Sequence, residues 1–325
     1  MNRLVRVLAA LTVALGAAGA CAADVGARYP SQPIRLVVPF GVGGYGDIVG
    51  RLVGNALSQQ INTPVLVDTR PGASTIVGSE IVARAAPDGY TILLISTTNA
   101  VNPSLFKKLP YDPVADFTPV TMVDSTPFAM VVNPGVKAQT LAEFVALARA
   151  EPGKLSYGSA GSGSSIHLTG ELFKNVTGTD IVHVPYKGSG PAMTDLIGGQ
   201  IHMTFSSTIN ALPFVKAGKV RALAVTSLLR SKAAPTVPTI AESGYPGFES
   251  SSWLGILAPA KTPPAIVGYL QQQIAIALRA PAIVKAFEAD GAEAGGNTPE
   301  AFGAYFRSEI AKWAKVVAKA GIQMD

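Results

Sequence analysis

At 325 residues, 48% of them hydrophobic, the chain is long enough for a full hydrophobic core, and a formal net charge of +5 is small for that length. No basic stripe interleaves with aromatics, which argues against a nucleic-acid partner. The single cysteine, Cys21, leaves no disulfide framework, and three scattered histidines do not make a zinc site.

Residues 1–22 read as a signal peptide. Arg3 and Arg6 form a positive n-region, residues 7–20 an apolar run, and Ala20-Cys21-Ala22 a small-residue cleavage site, so cleavage before Ala23 and export to the periplasm are predicted. The run is short and ends at Gly16 and Gly19, which argues against a membrane anchor. Cys21 raises a lipoprotein alternative, but Ala18 stands where a lipobox carries Leu or Val. Without the leader the net charge falls from +5 to +3, since two arginines go and no acid does.

The mature chain opens on residues 34–47, a β-branched run to Pro39, a loop with glycines at 41, 43, 44 and 46, and Asp47. Ile48, Val49, Leu52, Val53, Ala56 and Leu57 then keep a helical spacing to about Gln60. A strand at 65–68, a loop at 70–74, a helix at 75–86 and a strand at 90–95 follow, ending in the hydroxyl run 96–99. Residues 103–119 read as a surface excursion, and 121–133 as an extended segment that Pro127 demotes from a central strand. Thr140 and Glu143 form a capping box for a helix to about Ala150.

Residues 155–208 then repeat the grammar of 34–98. Strand, small-residue loop, helix, strand, glycine loop, helix and strand recur in order, again ending in hydroxyls, Ser206-Ser207-Thr208. Two βαβαβ units with right-handed crossovers place their loops at the carboxyl edges of two parallel sheets. The fold class is therefore α/β, with two lobes and a cleft between them. A strand at 220–225, a proline-punctuated loop at 233–247 and an extended segment at 253–258 lead to helices opened by Pro264, Pro281 and Pro299, the last closing at Gly321. Those helices return most economically to the first lobe. The predicted division is 23–125 with 251–325 as lobe 1 and 126–250 as lobe 2, with crossings near 118–131 and 245–258.

Gly41 to Gly46 match G-x-G-x-x-G between strand and helix, and Asp68 ends the next strand twenty-two residues on. An exported oxidoreductase with a nicotinamide dinucleotide is the alternative this raises. Against it, Asp47 puts a carboxylate where a pyrophosphate would sit. A serine hydrolase lacks its G-x-S-x-G; His167, just inside a helix, could serve as a base but reads rather as structural or as a ligand donor, and His183 and His202 read as structural. Arg70 and Lys187 are the cations of the edge loops, each either solvated or near an anion. The remaining pattern is one of donors. Helix N-termini at Asp47, Thr75, Ser165 and Pro191, with hydroxyls at Ser74, Ser96, Thr97, Ser159, Ser164, Ser206 and Ser207, form a concave array suited to a carboxylate. Tyr157 and Phe205, at strand ends, are either core or aromatic lining of the cleft.

At these residues the chain resembles the extracytoplasmic receptors of the tripartite tricarboxylate transporters, the Bug family. The resemblance runs through Tyr29-Pro30, Pro39-Phe40, Gly43-Gly44 with Asp47, Arg70-Pro71-Gly72-Ala73, Asp88-Gly89-Tyr90-Thr91 and Leu109-Pro110-Tyr111-Asp112-Pro113. It continues in Tyr157-Gly158-Ser159-Ala160-Gly161, Gly163-Ser164, His167-Leu168, His183-Val184-Pro185-Tyr186-Lys187-Gly188, Ala241-Glu242-Ser243-Gly244 and Ile310-Ala311-Lys312-Trp313. It implies a monomeric, two-lobed periplasmic binding protein that closes on a small carboxylate, without cofactor or chemistry, with a membrane permease as partner. The ligand residues then expected are Phe40, Gly43, Gly44, Tyr45, Gly46, Asp47, Gly72, Ala73, Ser74, Ser96, Thr97 and Asn99 from the first lobe. From the second they are Tyr157, Ser159, Ala160, Gly161, Gly163, Ser164, His167, Phe205 and Ser206. The chain departs from the family at Tyr45 and Gly46, where a small or hydroxyl residue is usual, at Ser74 for glycine, at Thr69 for asparagine and at His202 for aspartate.

Overall fold

The computed structural model describes residues 29–322, so the leader, its cleavage site and Cys21 lie outside the described residues. In chain order, β1 (Ile34–Val38), α1 (Tyr45–Ile61), β2 (Val65–Thr69), α2 (Ile76–Ala83) and β3 (Thr91–Ser96) form the first unit, and α3 (Thr97–Leu105) follows β3 without a break. β4 (Phe117–Val132) and α4 (Leu141–Ala150) lead to the second unit, β5 (Ser156–Ser159), α5 (Ser165–Thr177), β6 (Val182–Pro185), α6 (Ser189–Ile197) and β7 (Met203–Ser207). Then come α7 (Thr208–Lys216), β8 (Arg221–Val225), β9 (Ser251–Pro259), α8 (Pro264–Ala277), α9 (Pro281–Asp290), β10 (Glu293–Ala294) and α10 (Pro299–Ala320).

Both units have the expected parallel order. β1 lies between β2 and β3, and β5 between β6 and β7. The full order is β2-β1-β3-β9-β4-β7-β5-β6, with β8 and β10 also on β4. β4 is thus central, contrary to the reading of Pro127 as an edge signal. Residues 117–127 of β4 pair antiparallel with β9, and residues 128–132 pair with β7 and β8. Pro127 sits where the partners change, opposite Ser251 at the start of β9, so its missing N–H interrupts no continuous ladder.

The first lobe packs helices on both faces of its sheet. Leu36 and Val38 point to the α1 and α8 side, with Val49, Val53, Ile266 and Leu270, while Val37 between them points to the side of α10, with Phe302, Phe306 and Trp313. The C-terminal helices therefore pack on both faces of the β1–β3 sheet. Proline in the first turn fits each of them, because the first helical N–H has no intrahelical acceptor. The end of α10 also meets Leu168 of α5 in the same buried cluster, so this helix touches the second lobe as well. The second lobe has its own core around Phe144, Phe173 and Phe205.

Candidate functional site: an interlobe cleft

In the first turn of α1, Gly46 is buried, and a Cβ there would run into the Phe40 ring, so glycine lets α1 start this close to the strand. Asp47 is buried and fully engaged. It accepts from Gly43 N at 3.0 Å, from Arg51 Nε at 3.1 Å and from Thr69 Oγ1 at 3.2 Å. The Arg51 hydrogen bond, then that of Gly43, holds its carboxyl below the usual range. Asp47 thus ties the loop to its own helix and adds a negative charge at the α1 N-terminus. Asp68 is engaged too. Against a burial that would raise its pKa, Arg35 at 2.5 Å and Arg70 at 2.9 Å hold it down, and this accounts for Arg70. Asp68, the acidic residue of the dinucleotide fingerprint, and Asp47, the carboxylate that argues against it, are both paired with the protein's own cations.

The β2–α2 loop takes an unusual course. Ala73, Ser74 and Thr75 have φ of 44°, 51° and 76°, three consecutive non-glycine residues in the left-handed region, and α2 begins only at Ile76. The turn is propped from below. Asn102 Nδ2 donates to Ser74 O at 2.7 Å, Ser79 Oγ to Thr75 O at 2.9 Å, and Asn99 Nδ2 to Ser79 Oγ at 3.0 Å.

The hydroxyl runs that close each unit are helix N-termini. Ser96 caps α3, accepting from Thr98 N at 3.2 Å while its own N–H reaches Asn99 Oδ1 at 3.0 Å, and Ser207 precedes α7. Neither helix was read from the sequence, because Pro103 and Pro213 lie inside them and proline signals a break. The Ser96-x-x-Asn99 spacing was the available clue.

In the second lobe, Ser164 caps α5 by accepting from His167 N at 3.2 Å. Its neighbours are turned inward. Ser159 is fully buried, accepting from Gly161 N at 3.1 Å and lying 2.7 Å from His183 Nε2. His167 Nδ1 accepts from Gly163 N at 3.0 Å. Burial lowers the pKa of both imidazoles, that of His183, helped by His167, to about 4. Tyr157 donates to Glu171 Oε1 at 2.8 Å, and burial, then the Glu171 charge, raises its pKa.

Two adjoining cavities open between the lobes, sharing Ser165 and Ser252 in their walls. The first, about 270 Å³, lies between Ser74, Ser96, Thr97, Thr98 and Asn102 on one side and Gly163, Ser164 and Leu168 on the other. The second, about 310 Å³, is lined by Tyr45 of the first lobe and by Thr126, Phe128, Ile166, Ser189, Ser206, Ser207 and Asn210 of the second. Of the residues expected from the sequence, Tyr45, Ser74, Ser96, Thr97, Gly163, Ser164 and Ser206 line these cavities. Phe40, Gly43, Gly44, Gly72, Ala73, Ala160 and Gly161 in the flanking loops, and Gly46 in the first turn of α1, do not line them. Asp47, Asn99, Ser159 and His167 spend their polar atoms inside the protein, and Tyr157 and Phe205 are core. Sequence reading missed Asn102, one helical turn after Asn99, and Ser252 at the start of β9. Among the described residues, no lysine, arginine or histidine lines either cavity; Lys187 is exposed elsewhere.

Hydroxyl donors at helix N-termini, divided between two lobes, are the equipment of a solute-binding protein for small anions. Fold and cleft together define that class. Residues 49–322 match the tripartite tricarboxylate transporter family receptor, and the chain belongs to that family. It is 38% identical to Protein BugT of Bordetella pertussis over 326 residues, covering 100% of this chain and 99% of that one. A ligand-free TctC solute-binding protein from Polaromonas, 30% identical, superposes with a TM-score of 0.81 over 90% of this chain and 99% of its own. The R. palustris protein Rpa4515 with adipate, 36% identical, gives 0.71 over 91% of this chain and 100% of its own. Among the described residues, no helix is long and apolar enough to cross a membrane.

Proposed function

We propose that this protein is a periplasmic receptor that captures a small carboxylate in the interlobe cleft and presents it for uptake or sensing. The observation that carries the reading is the pair of adjoining cavities walled by both lobes, rich in hydroxyls at the starts of α3, α5 and α7. Neutral donors and helix N-termini suit a carboxylate without a fixed counter-cation. The adipate held by a relative 36% identical supports the same ligand chemistry.

Lobe 1 comprises 23–125 and 251–325, and lobe 2 comprises 126–250. The two strands that cross between them, at Pro127–Phe128 of β4 and ahead of Ser251 in β9, are the hinge for closure. The protein works as a monomer, exported by its leader, and delivers to a membrane permease of the tripartite tricarboxylate type.

A thermal-shift panel of mono-, di- and tricarboxylates and aromatic acids tests this. An acid present at a hundredfold over its Kd stabilises the protein by about 2.7 kcal/mol. A shift with NAD and with no acid would reverse the reading, and native mass spectrometry of the purified protein would identify a trapped acid directly.

A further inference from the structure

The turn at Ala73 to Thr75 is costly where it stands. In the left-handed region the Cβ of an L-residue crowds the backbone, whereas glycine adopts the same conformation without that penalty. Here three such residues follow one another, and Ser74, at φ 51° and ψ 48°, is the middle one. The strain is maintained by the bond from the buried Asn102 to the Ser74 carbonyl at 2.7 Å and by that from Ser79 to the Thr75 carbonyl at 2.9 Å. Nothing in these props uses the Ser74 side chain. Ser74 is exposed and belongs to the wall of the first cavity, which Ser164 of the second lobe also lines. A serine whose backbone would be relaxed as glycine, standing in the wall of the interlobe cavity, is the pattern of backbone strain kept at a functional position.

We propose that Ser74 is a specificity-determining residue, its hydroxyl held into the first cavity at the expense of backbone strain in order to donate to the ligand's carboxylate. The inference rests on the carboxylate-receptor reading and adds to it which first-lobe side chain grips the acid. The strained turn is the price the fold accepts for that donor, with Asn102 positioning it from α3. Stability and binding are therefore opposed at this one residue.

The test is a pair of substitutions, Ser74→Gly and Ser74→Ala, each followed by thermal melting alone and by calorimetric titration with adipate, hexanoate and citrate. Ser74→Gly removes both strain and hydroxyl, whereas Ser74→Ala keeps the strain and removes only the hydroxyl. Relief of the strain outweighs the extra chain freedom of glycine in the unfolded state, so Ser74→Gly is expected to melt about 2–3 °C higher than the parent. Ser74→Ala is expected to melt no higher than the parent. Both variants should bind the acid that the parent binds about tenfold more weakly, the loss of one hydrogen bond to a charged group. A Ser74→Gly variant that melts no higher than the parent would overturn the strain, and unchanged affinity in both variants would overturn the hydroxyl's role, either result leaving the receptor reading intact. A parent protein that binds none of the three acids would overturn that reading and this inference together.

Discussion

The imidazole of His167 lies flat on that of His183, ring centroids 3.9 Å apart and planes 16° from parallel. Tyr157 lies beside the pair, its ring 4.9 Å from His183 and tilted by 31°, and both histidines hold the underside of the 159–164 loop, one through Ser159 and the other through Gly163. Two stacked imidazoles at this distance cannot both carry charge cheaply, and burial keeps them neutral even with Glu171 nearby, itself paired with Lys174 at 2.8 Å.

This predicts a stability that falls with acid. The folded pKa of His183, about 4, and that of His167 lie below the unfolded value of 6.5, so the unfolded chain takes up protons first. The stabilisation is complete above the unfolded pKa and is lost as pH falls from there towards the folded one. Melting temperatures between neutral pH and pH 4 should drop steadily through that window, and His183→Gln should flatten the drop; an identical slope in the variant would exclude His183 as its origin.

Ser159→Ala should act on stability ahead of binding. The hydroxyl is fully buried and bonded to Gly161 and His183, so its removal strands their polar groups at a cost of about 1–3 kcal/mol. Urea denaturation should show that loss, while the affinity for the acid changes by less than the tenfold expected at Ser74.

Tyr45 closes one wall of the second cavity with its ring, because its hydroxyl donates to the buried Asp124, whose other oxygen accepts from Leu254 N at 2.9 Å. Tyr45→Phe preserves the ring and deletes a donor to a buried carboxylate. A loss of about 1.5–3 kcal/mol in urea denaturation is expected, and an unchanged midpoint would mean that the hydroxyl contributes nothing.

Glu309 anchors α10 to the first-lobe sheet. Its Oε2 accepts from the indoles of Trp253 and Trp313, each at 3.0 Å, and its other oxygen pairs with Lys312. Glu309→Ala leaves two buried N–H groups without an acceptor and should cost about 3 kcal/mol or more. Glu309→Gln keeps an acceptor and should cost clearly less, which tryptophan fluorescence during unfolding would resolve.

The paired βαβαβ units, the glycine loops and the three proline-started C-terminal helices were legible in the sequence, because periodicity, turn chemistry and capping act within a few residues. So was the supply of donors at the strand ends. What the sequence by itself could not decide was how those donors are spent. Ser159 and Ser164 stand five residues apart in the same hydroxyl-rich loop, yet one is buried against His183 and the other lines the cleft. Of the two tyrosines at loop edges, Tyr157 is core and Tyr45 is cavity wall. Likewise Pro127 reads locally as an edge signal, but β9, more than a hundred residues later, makes β4 the centre of the sheet. Element type is written in local pattern, whereas the face an element presents and the partner it meets depend on packing between distant segments, which only the tertiary structure decided.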